Sequence, residues 1–427
     1  MNVCVLGGGV IGVTTAYLLA REGCQVTVVE QHRQVGHETS FANGAQLCYS
    51  YVAPLAAPSV FSHLPKWLFD RNAPLRFLPS LDPDQWVWSL KFLLQCTSER
   101  SRQSTVELHR LSAYSKQVMD EILSNESIDF DFTQTGKLVI YRDADDFAAA
   151  RRQVEIQSWS GVVQTVLDAQ SCVEKEPALQ SMEQVLAGGI FTPTEGSGDC
   201  YVFTRELARI SAAKYGVNFV NGTKLLGLRQ EGDRIVAART SGGDVNADFF
   251  VVALGNGSRE ALAPLGVRLP LLPLKGYSLT LPIGEKHAAP TISVTDVHHK
   301  IVYARLGSRL RIAGMVDMTP AGYRDDPRRV ELLKAQAQSV MPNAGDFTKA
   351  EVWTGFRPAT PDGRPVLGCS EVSNLRLNAG HGALGFTLAC ASARLVVDEI
   401  CGLPTALDLA PYSLTGRNSR RQYGAVT

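Results

Sequence analysis

The chain has no excess of either charge: 42 Lys and Arg stand against 42 Asp and Glu in 427 residues. Nucleic acid demands a basic field, so this balance argues against that partner. Its nine cysteines include no Cys-x-x-Cys pair, and its eight histidines form no cluster. An odd, dispersed set of thiols speaks against a disulfide framework and a zinc site, and it fits a reducing, cytoplasmic compartment. No stretch reaches the roughly 20 continuous apolar residues of a spanning helix. Internal repeats and low-complexity tracts are missing. Residues 1–20 are uncharged and resemble a signal peptide, but no basic segment opens them and three consecutive glycines interrupt the apolar run. What remains, 45% hydrophobic and 20% charged, is the composition of an ordinary soluble globular protein. Its length suits about two or three structural units. Peripheral contact with the inner face of a membrane stays compatible with this composition.

The most informative residues come first. Val3-Cys4-Val5-Leu6 runs into Gly7-Gly8-Gly9-Val10-Ile11-Gly12, an apolar helical pattern covers residues 13–20, and the apolar run Val26-Thr27-Val28-Val29 ends on Glu30. This is strand, glycine turn, helix, strand and acid, in the order of a dinucleotide-binding unit. Gly7 permits the tight turn, Gly9 lets backbone approach a pyrophosphate, and Gly12 lets helix and strand pack closely. The pyrophosphate is expected on the helix N-terminus at Val10 and Ile11, where free N–H groups and the helix dipole favour an anion. Glu30, followed by Gln31, is expected at the ribose, where its charge would repel a 2′-phosphate. A plain turn with three glycines would leave Glu30 unexplained.

Residues 31–44 read as a polar loop, with Ser40, Asn43 and Gly44 suited to a ligand edge. Residues 51–95 hold six prolines, expected to break regular structure. Trp67-Leu68-Phe69 and Trp86-Val87-Trp88 fit core, or an apolar surface that meets a membrane or partner. Helices are expected over 104–124, 143–161 and 204–215, and strands over 136–141, 217–220, 235–239 and 249–254. The last of these ends at Gly255. In an open parallel sheet the strand C-termini carry the ligand crevice, which adds Ala253 and Gly255 to the expected cofactor site. Alternating runs at 277–281, 301–306 and 310–316 are typical of an antiparallel sheet.

NAD and FAD both fit the first motif. A second glycine loop favours FAD: Asn378-Ala379-Gly380-His381-Gly382-Ala383-Leu384-Gly385 leads through Phe386 and Thr387 into a helix running to about Cys401. Its N-terminus can face the flavin N1–C2=O edge, which gains negative charge on reduction. Gly380, Gly382, Leu384, Gly385, Phe386 and Thr387 therefore join the expected flavin site. The fold expected is α/β: a Rossmann-type FAD-binding domain (1–50, 160–260 and 345–427) with an inserted α+β antiparallel-sheet substrate domain (51–159 and 261–344).

At this point the chain resembles a family. Glu38-Thr39-Ser40-Phe41-Ala42-Asn43-Gly44, Lys66-Trp67-Leu68, Gly198-Asp199-Cys200, Pro273 to Ser278, the run W-T-G-F-R-P-A-T-P-D-G-R-P from Trp353 to Pro365, and Asn378 to Thr387 appear in register over nearly the whole length. In this it is similar to the FAD-carrying subunits of bacterial D-amino-acid dehydrogenases, within the D-amino-acid oxidase superfamily. It departs at Phe386, where tryptophan is usual, at Ala391-Ser392-Ala393, at His37 and at Phe356. The resemblance implies non-covalent FAD, oxidation of a D-amino acid to a 2-oxo acid and ammonia, and electrons passed to a quinone or other carrier.

Such chemistry presents the substrate Cα–H to flavin N5, so much of the catalysis is orientation. The substrate carboxylate needs a fork, and Arg357, followed by Pro358, is the candidate; the resemblance places the carboxylate-binding arginine there too. Tyr303 and Tyr277 are candidates for a positioning hydroxyl, each with core packing as the competing reading. His381 sits between glycines at the presumed flavin face; hydride transfer from a neutral amine requires no general base, so its role as a base is the weaker reading. No metal-ligand spacing is present. Other functions fit the same residues: an oxygen-using oxidase of glycine, D-proline or another secondary amine, a flavin-holding subunit without catalysis, or a nicotinamide dehydrogenase. Mirror-image substrates need the same arginine, so chirality follows from the resemblance alone.

Overall fold

The structure is a computed structural model that describes residues 1–50, 52–157, 163–319 and 325–418. Its first layer is a six-stranded sheet. The strands stand in the order Val366–Cys369, Leu375–Ala379, Phe249–Val252, β1 (Asn2–Leu6), β2 (Gln25–Val29) and Asn218–Val220. All are parallel except the antiparallel edge strand Val366–Cys369. Four of the five β1 residues are buried without alternation, because both faces are covered: Val3 and Val5 join a core shared with helices on one side, and Cys4 and Leu6 pack with Ile235 and Ala238 of a three-stranded antiparallel sheet (Leu225–Glu231, Arg234–Thr240 and Gly243–Val245) on the other. One of these helices is α1 (Val10–Arg21), which the opening pattern anticipates. The C-terminal helix Gly385–Cys401 joins the same apolar core as α1, and Asn378 beneath it donates to Thr15 at 3.1 Å. The glycine turn after β1, Glu30 after β2, Ala253 and Gly380 thus all lie at the C-terminal edge of one sheet.

The second layer is a nine-stranded, mainly antiparallel sheet. Its order is Glu351–Ala359, Leu272–Pro282, Arg309–Met318, Ile301–Leu306, Ser293–Asp296, Lys137–Tyr141, Gly188–Thr192 and Thr165–Leu167, with Leu75–Phe77 added beside Arg309–Met318. One face is backed by the helix Pro327–Val340 and packs Tyr277, Leu279, Tyr303, Ile312 and Leu333 into one core. The other face turns toward residues 39–46 of the first layer. Three strands depart from the sequence grouping. Thr165–Leu167, Gly188–Thr192 and Glu351–Ala359 were expected with the nucleotide-binding part, yet all pair within this second sheet. Strand pairing is decided by partners distant in sequence, which a local pattern does not encode.

Residues 51–95 also differ from expectation. The prolines do not abolish helix there: α2 (Val60–Phe69) contains Pro65, and α3 (Pro83–Gln95) begins on Pro83 behind an Asp82 cap. Proline at the first helical position forfeits no bond, because that N–H has no intrahelical partner. The two tryptophan motifs divide between the two readings. Trp67 and Trp88 are buried, whereas Phe69 is 84% and Trp86 51% exposed. The strand Arg309–Met318 kinks at Met315 (φ 57°). The helix expected over 143–161 is Ala144–Gln157; its expected last turn lies outside the described residues.

Candidate active site

The glycine turn after β1 is built by sterics. Gly7 has φ +107°, and a Cβ there would stand 2.5 Å from the Ala253 carbonyl oxygen. A Cβ on Gly12 would stand 1.9 Å from the Gly7 oxygen, so only glycine lets α1 start so close to β1. At Gly9, by contrast, a Cβ would meet only the Ser40 hydroxyl, at 3.4 Å. The start of α1, with Val10, Ile11 and Gly12, carries no side-chain N-cap bond from Gly9 and no acid in its first turn. Ser40 instead accepts from the Val10 N–H at 3.0 Å. Glu30 is buried and accepts from the Gly8 N–H at 2.7 Å and the His32 N–H at 2.8 Å. A carboxylate offers about four lone-pair positions, so it keeps capacity for ribose hydroxyls. Gln31 is exposed and its amide donates to Glu38 at 3.2 Å.

The second glycine loop makes a matching helix start. Gly380 (φ +83°) and Gly382 (φ +55°) turn the chain from the strand Leu375–Ala379 into the helix Gly385–Cys401. Leu384 caps that helix without a side-chain bond, and its first turn holds no acid. Thr387 accepts from the Cys48 N–H at 3.3 Å, which ties the helix start to the loop that follows Gly44. A Cβ added at Gly255 or Gly382 would have no atom within 4 Å, so backbone there borders open space. Two helix starts whose N-cap residues make no side-chain bond and whose first turns hold no acid, one suited to a diphosphate and one to an anionic ring edge, fit FAD on the residues present. Phe386 does not line this space; its ring packs against Phe130 and Phe203 in the core.

Residues 39–46 bind this first layer to the second sheet. Ala42 O accepts from Ser278 at 2.7 Å, and Asn43 O accepts from Arg311 at 2.9 Å. The Asn43 side chain accepts from the Ala45 N–H at 3.0 Å, shaping the loop itself. A Cβ on Gly44 would press on Val302 at 3.1 Å. Side chains two apart on a strand share a face, so Ser278, Val302, Arg311 and Ala313 mark the face that meets the cofactor loop.

Arg357 lies on that face. A Cβ on Gly276, two residues before Ser278, would stand 2.6 Å from its guanidinium, so the fork lies flat over Gly276. One guanidinium nitrogen donates to the Met315 carbonyl at 3.2 Å, and the kink at Met315 presents that oxygen. No carboxylate faces Arg357 among the described residues; burial alone pushes its pKa down to about 10. A half-buried cation without an acidic partner is costly unless an anion arrives. Its neighbour Phe356 offers its carbonyl to Thr39 (2.9 Å) and to Asn256 (2.7 Å), so both cofactor loops are fastened beside the arginine.

The other three catalytic candidates are placed elsewhere. Tyr277 and Tyr303 are buried on the opposite face of the sheet. The Tyr277 hydroxyl donates to Asp317 at 2.7 Å, and the Tyr303 hydroxyl has no partner among the described residues. Alternation along the strand decides this: a one-residue offset sends a side chain to the other face. The His381 imidazole is buried against the helix Gly385–Cys401, 3.0 Å from Ser392 Oγ. That hydroxyl already donates to Leu388 O, so His381 Nε2 donates to it. Burial drops the His381 pKa to about 3, which keeps the ring neutral and removes it as a proton acceptor at ordinary pH. Trp353 is a further residue of the Arg357 face. A Cβ on Gly355 would stand 2.0 Å from its ring, which therefore lies over Gly355 on the Arg357 face. The i, i+2, i+4 run Trp353, Gly355, Arg357 carried the signal in the sequence. On the same face Lys137 is buried and donates to Gln46 at 3.2 Å and to Cys48 at 3.1 Å.

Comparison with known proteins agrees with this architecture. The chain is 46% identical to D-amino acid dehydrogenase 2 of Ralstonia nicotianae, over 97% of this chain and 100% of that protein. It is 44% identical to D-amino acid dehydrogenase 2 of Pseudomonas aeruginosa, over 95% of this chain and 96% of that one. The fold is also that of a glycine oxidase from Geobacillus kaustophilus, with a TM-score of 0.75, 23% identity, and 97% and 98% of the two chains covered. The family model "FAD dependent oxidoreductase" matches residues 2–399. With its two helix starts and glycine cradles in place, the chain belongs to the FAD-dependent oxidoreductase family.

Proposed function

We propose that this chain is an FAD-dependent dehydrogenase of D-amino acids. The observation that carries the reading is Arg357: a guanidinium without a carboxylate partner among the described residues, on the one sheet face that meets the cofactor loops. The names of the nearly full-length relatives support the D configuration of the substrate. FAD, when bound, supplies the two-electron acceptor for the hydride that leaves the substrate Cα. The protein supplies orientation. Arg357 takes the substrate carboxylate bidentately. Gly276 and Gly355 leave room for the fork and for the Trp353 ring, so both lie against the sheet. Val302 and Ala313 give the face an apolar floor that limits water. The substrate ammonium gives its proton to solvent before hydride transfer, and neither His381 nor either tyrosine takes it. The overall change is amino acid, water and oxidised acceptor to 2-oxo acid, ammonia and reduced acceptor.

The acceptor in this reading is a quinone or another carrier, reached by peripheral contact with the inner face of a membrane. No helix among the described residues is long and apolar enough to cross one. The test is an anaerobic screen of D- and L-amino acids, read as bleaching of the flavin band. Bleaching by several D-amino acids and none of their L forms is expected; bleaching by L forms alone would refute the reading. Rapid reoxidation of the reduced enzyme by oxygen in stopped flow would replace the dehydrogenase with an oxidase.

A further inference from the structure

The strand Glu351–Ala359 has two faces with different tasks. Thr354 and Phe356 stand opposite Tyr277 and Lys275 in register, on the face whose core holds Tyr277. Trp353, Gly355 and Arg357 share the other face, and all three are partly open. Trp353 leans forward along the strand. A Cβ on Gly355 would stand 2.0, 2.5 and 2.9 Å from three carbons of its six-membered ring. Arg357 leans backward and across, with its guanidinium 2.6 Å from where a Gly276 Cβ would stand. Gly276 and Gly355 are direct partners in register. The Cβ positions of such partners lie about 4.5–5.5 Å apart, so ring and fork converge on one pair of glycines. Glycine inside a strand weakens it and marks a close approach; two facing each other clear a floor for these two side chains. The indoles of Trp86 and Trp88 donate to Ser80 O and Ala359 O, whereas the Trp353 indole has no hydrogen-bond partner among the described residues. Packing alone holds this ring beside the fork.

We propose that the Trp353 ring sets the size of the substrate side chain and favours short ones. The proposal rests on the reading of Arg357 as the carboxylate anchor and narrows the substrate class. A carboxylate held by the fork brings its own Cα against the ring, because Cα is bonded to the carboxyl carbon. The substituents of Cα then compete with the ring for the space above Gly276 and Gly355. A methyl group fits beside the ring; an aromatic side chain needs the volume that the ring fills. Trp353 takes no proton and donates to nothing in this role. It is a wall, and it discriminates by excluded volume.

The experiment uses the purified full-length, FAD-loaded protein. First, kcat/KM is measured for D-alanine and D-phenylalanine with a soluble dye acceptor. Wild type is expected to favour D-alanine, and Trp353→Ala to raise the D-phenylalanine to D-alanine ratio by about tenfold or more. Second, propionate and 3-phenylpropionate, which carry no amine, are titrated against the flavin band without turnover. Trp353→Ala is expected to shift their relative affinity in the same direction. Trp353→Phe keeps an aromatic ring on the strand and should give intermediate ratios; it carries the test if Trp353→Ala purifies without FAD. Unchanged ratios would overturn the proposal, even if both substrates weaken, because a ring that only steadies the strand would affect both alike. A wild type that favours D-phenylalanine would overturn it too. Reduction of the wild-type flavin by neither D-amino acid, alongside the expected shift in acid preference, would remove the D-amino-acid reading and leave the role of Trp353 standing.

Discussion

Arg357 is held in readiness by three neighbours: Gly276 below it, the Met315 carbonyl at its edge, and the Phe356 carbonyl that fastens both cofactor loops. Its removal should raise KM with FAD still bound. A charge-assisted bond is worth about 1.5–3 kcal/mol, so Arg357→Ala should cost roughly 10- to 150-fold in KM, and Arg357→Lys should recover only part of it because an ammonium lacks the fork. Tyr303 invites the opposite expectation. Its hydroxyl is buried without a partner among the described residues, so Tyr303→Phe should keep KM and should leave the melting temperature unchanged or raised. A KM rise in this variant would return Tyr303 to the substrate. His381 is a matter of stability. Its pKa falls from 6.5 to about 3 on folding, so the unfolded chain binds a proton that the native state refuses. Stability from the neutral ring is complete above the ordinary imidazole range and is lost as pH falls toward 3, by an amount on the order of a few kcal/mol. Acid unfolding of His381→Gln, followed by circular dichroism, should show a shallower decline across that window than wild type.

Among the elements, the two helix starts matter most, and each depends on a glycine contact. At Gly12 an added side chain would drive into the Gly7 carbonyl and push α1 away from β1. Gly12→Val should therefore yield a protein purified without yellow colour, with FAD affinity down by about a hundredfold or more, since the N–H groups that receive a diphosphate would no longer converge. Wild-type flavin content in Gly12→Val would show that the turn can relax and that the close approach is dispensable. In the proposed function, the strand Glu351–Ala359 plays the corresponding part for the substrate. Its alternation puts Trp353, Gly355 and Arg357 on the cofactor side and leaves Thr354 and Phe356 on the other. This grouping could be read from the sequence once the segment was taken as a strand. The face it presents could not, because that depends on pairing with Leu272–Pro282, about eighty residues earlier.

For the whole molecule, the cofactor loops are the seam between two sheets. Residues 39–46 rise from the first layer and are bonded to Ser278 and Arg311 of the second, with Gln46 reaching Ser293 at 2.6 Å. A ligand bound along this seam stabilises both layers by mass action. Protein stripped of FAD should melt lower, and adding FAD at a hundredfold excess over its Kd should restore about 2.7 kcal/mol. Calorimetry with increasing FAD checks this; a melting temperature indifferent to FAD would place the cofactor off the seam.

Local chemistry alone determined the nucleotide end of this protein. The opening glycines, Glu30, the loop through Asn43 and Gly44, and the second glycine loop before the last helix each obey steric and helix-terminus rules that act within a few residues. Pairing between distant strands decided the rest. It moved Thr165–Leu167, Gly188–Thr192 and Glu351–Ala359 into the second sheet, turned Tyr277 and Tyr303 into its core, and left Arg357 facing the cofactor loops. It also divided the two tryptophan motifs between core and surface. The physical reason is common to all of these: which face of a strand or helix is buried depends on what packs against it, and that neighbour lies far away along the chain.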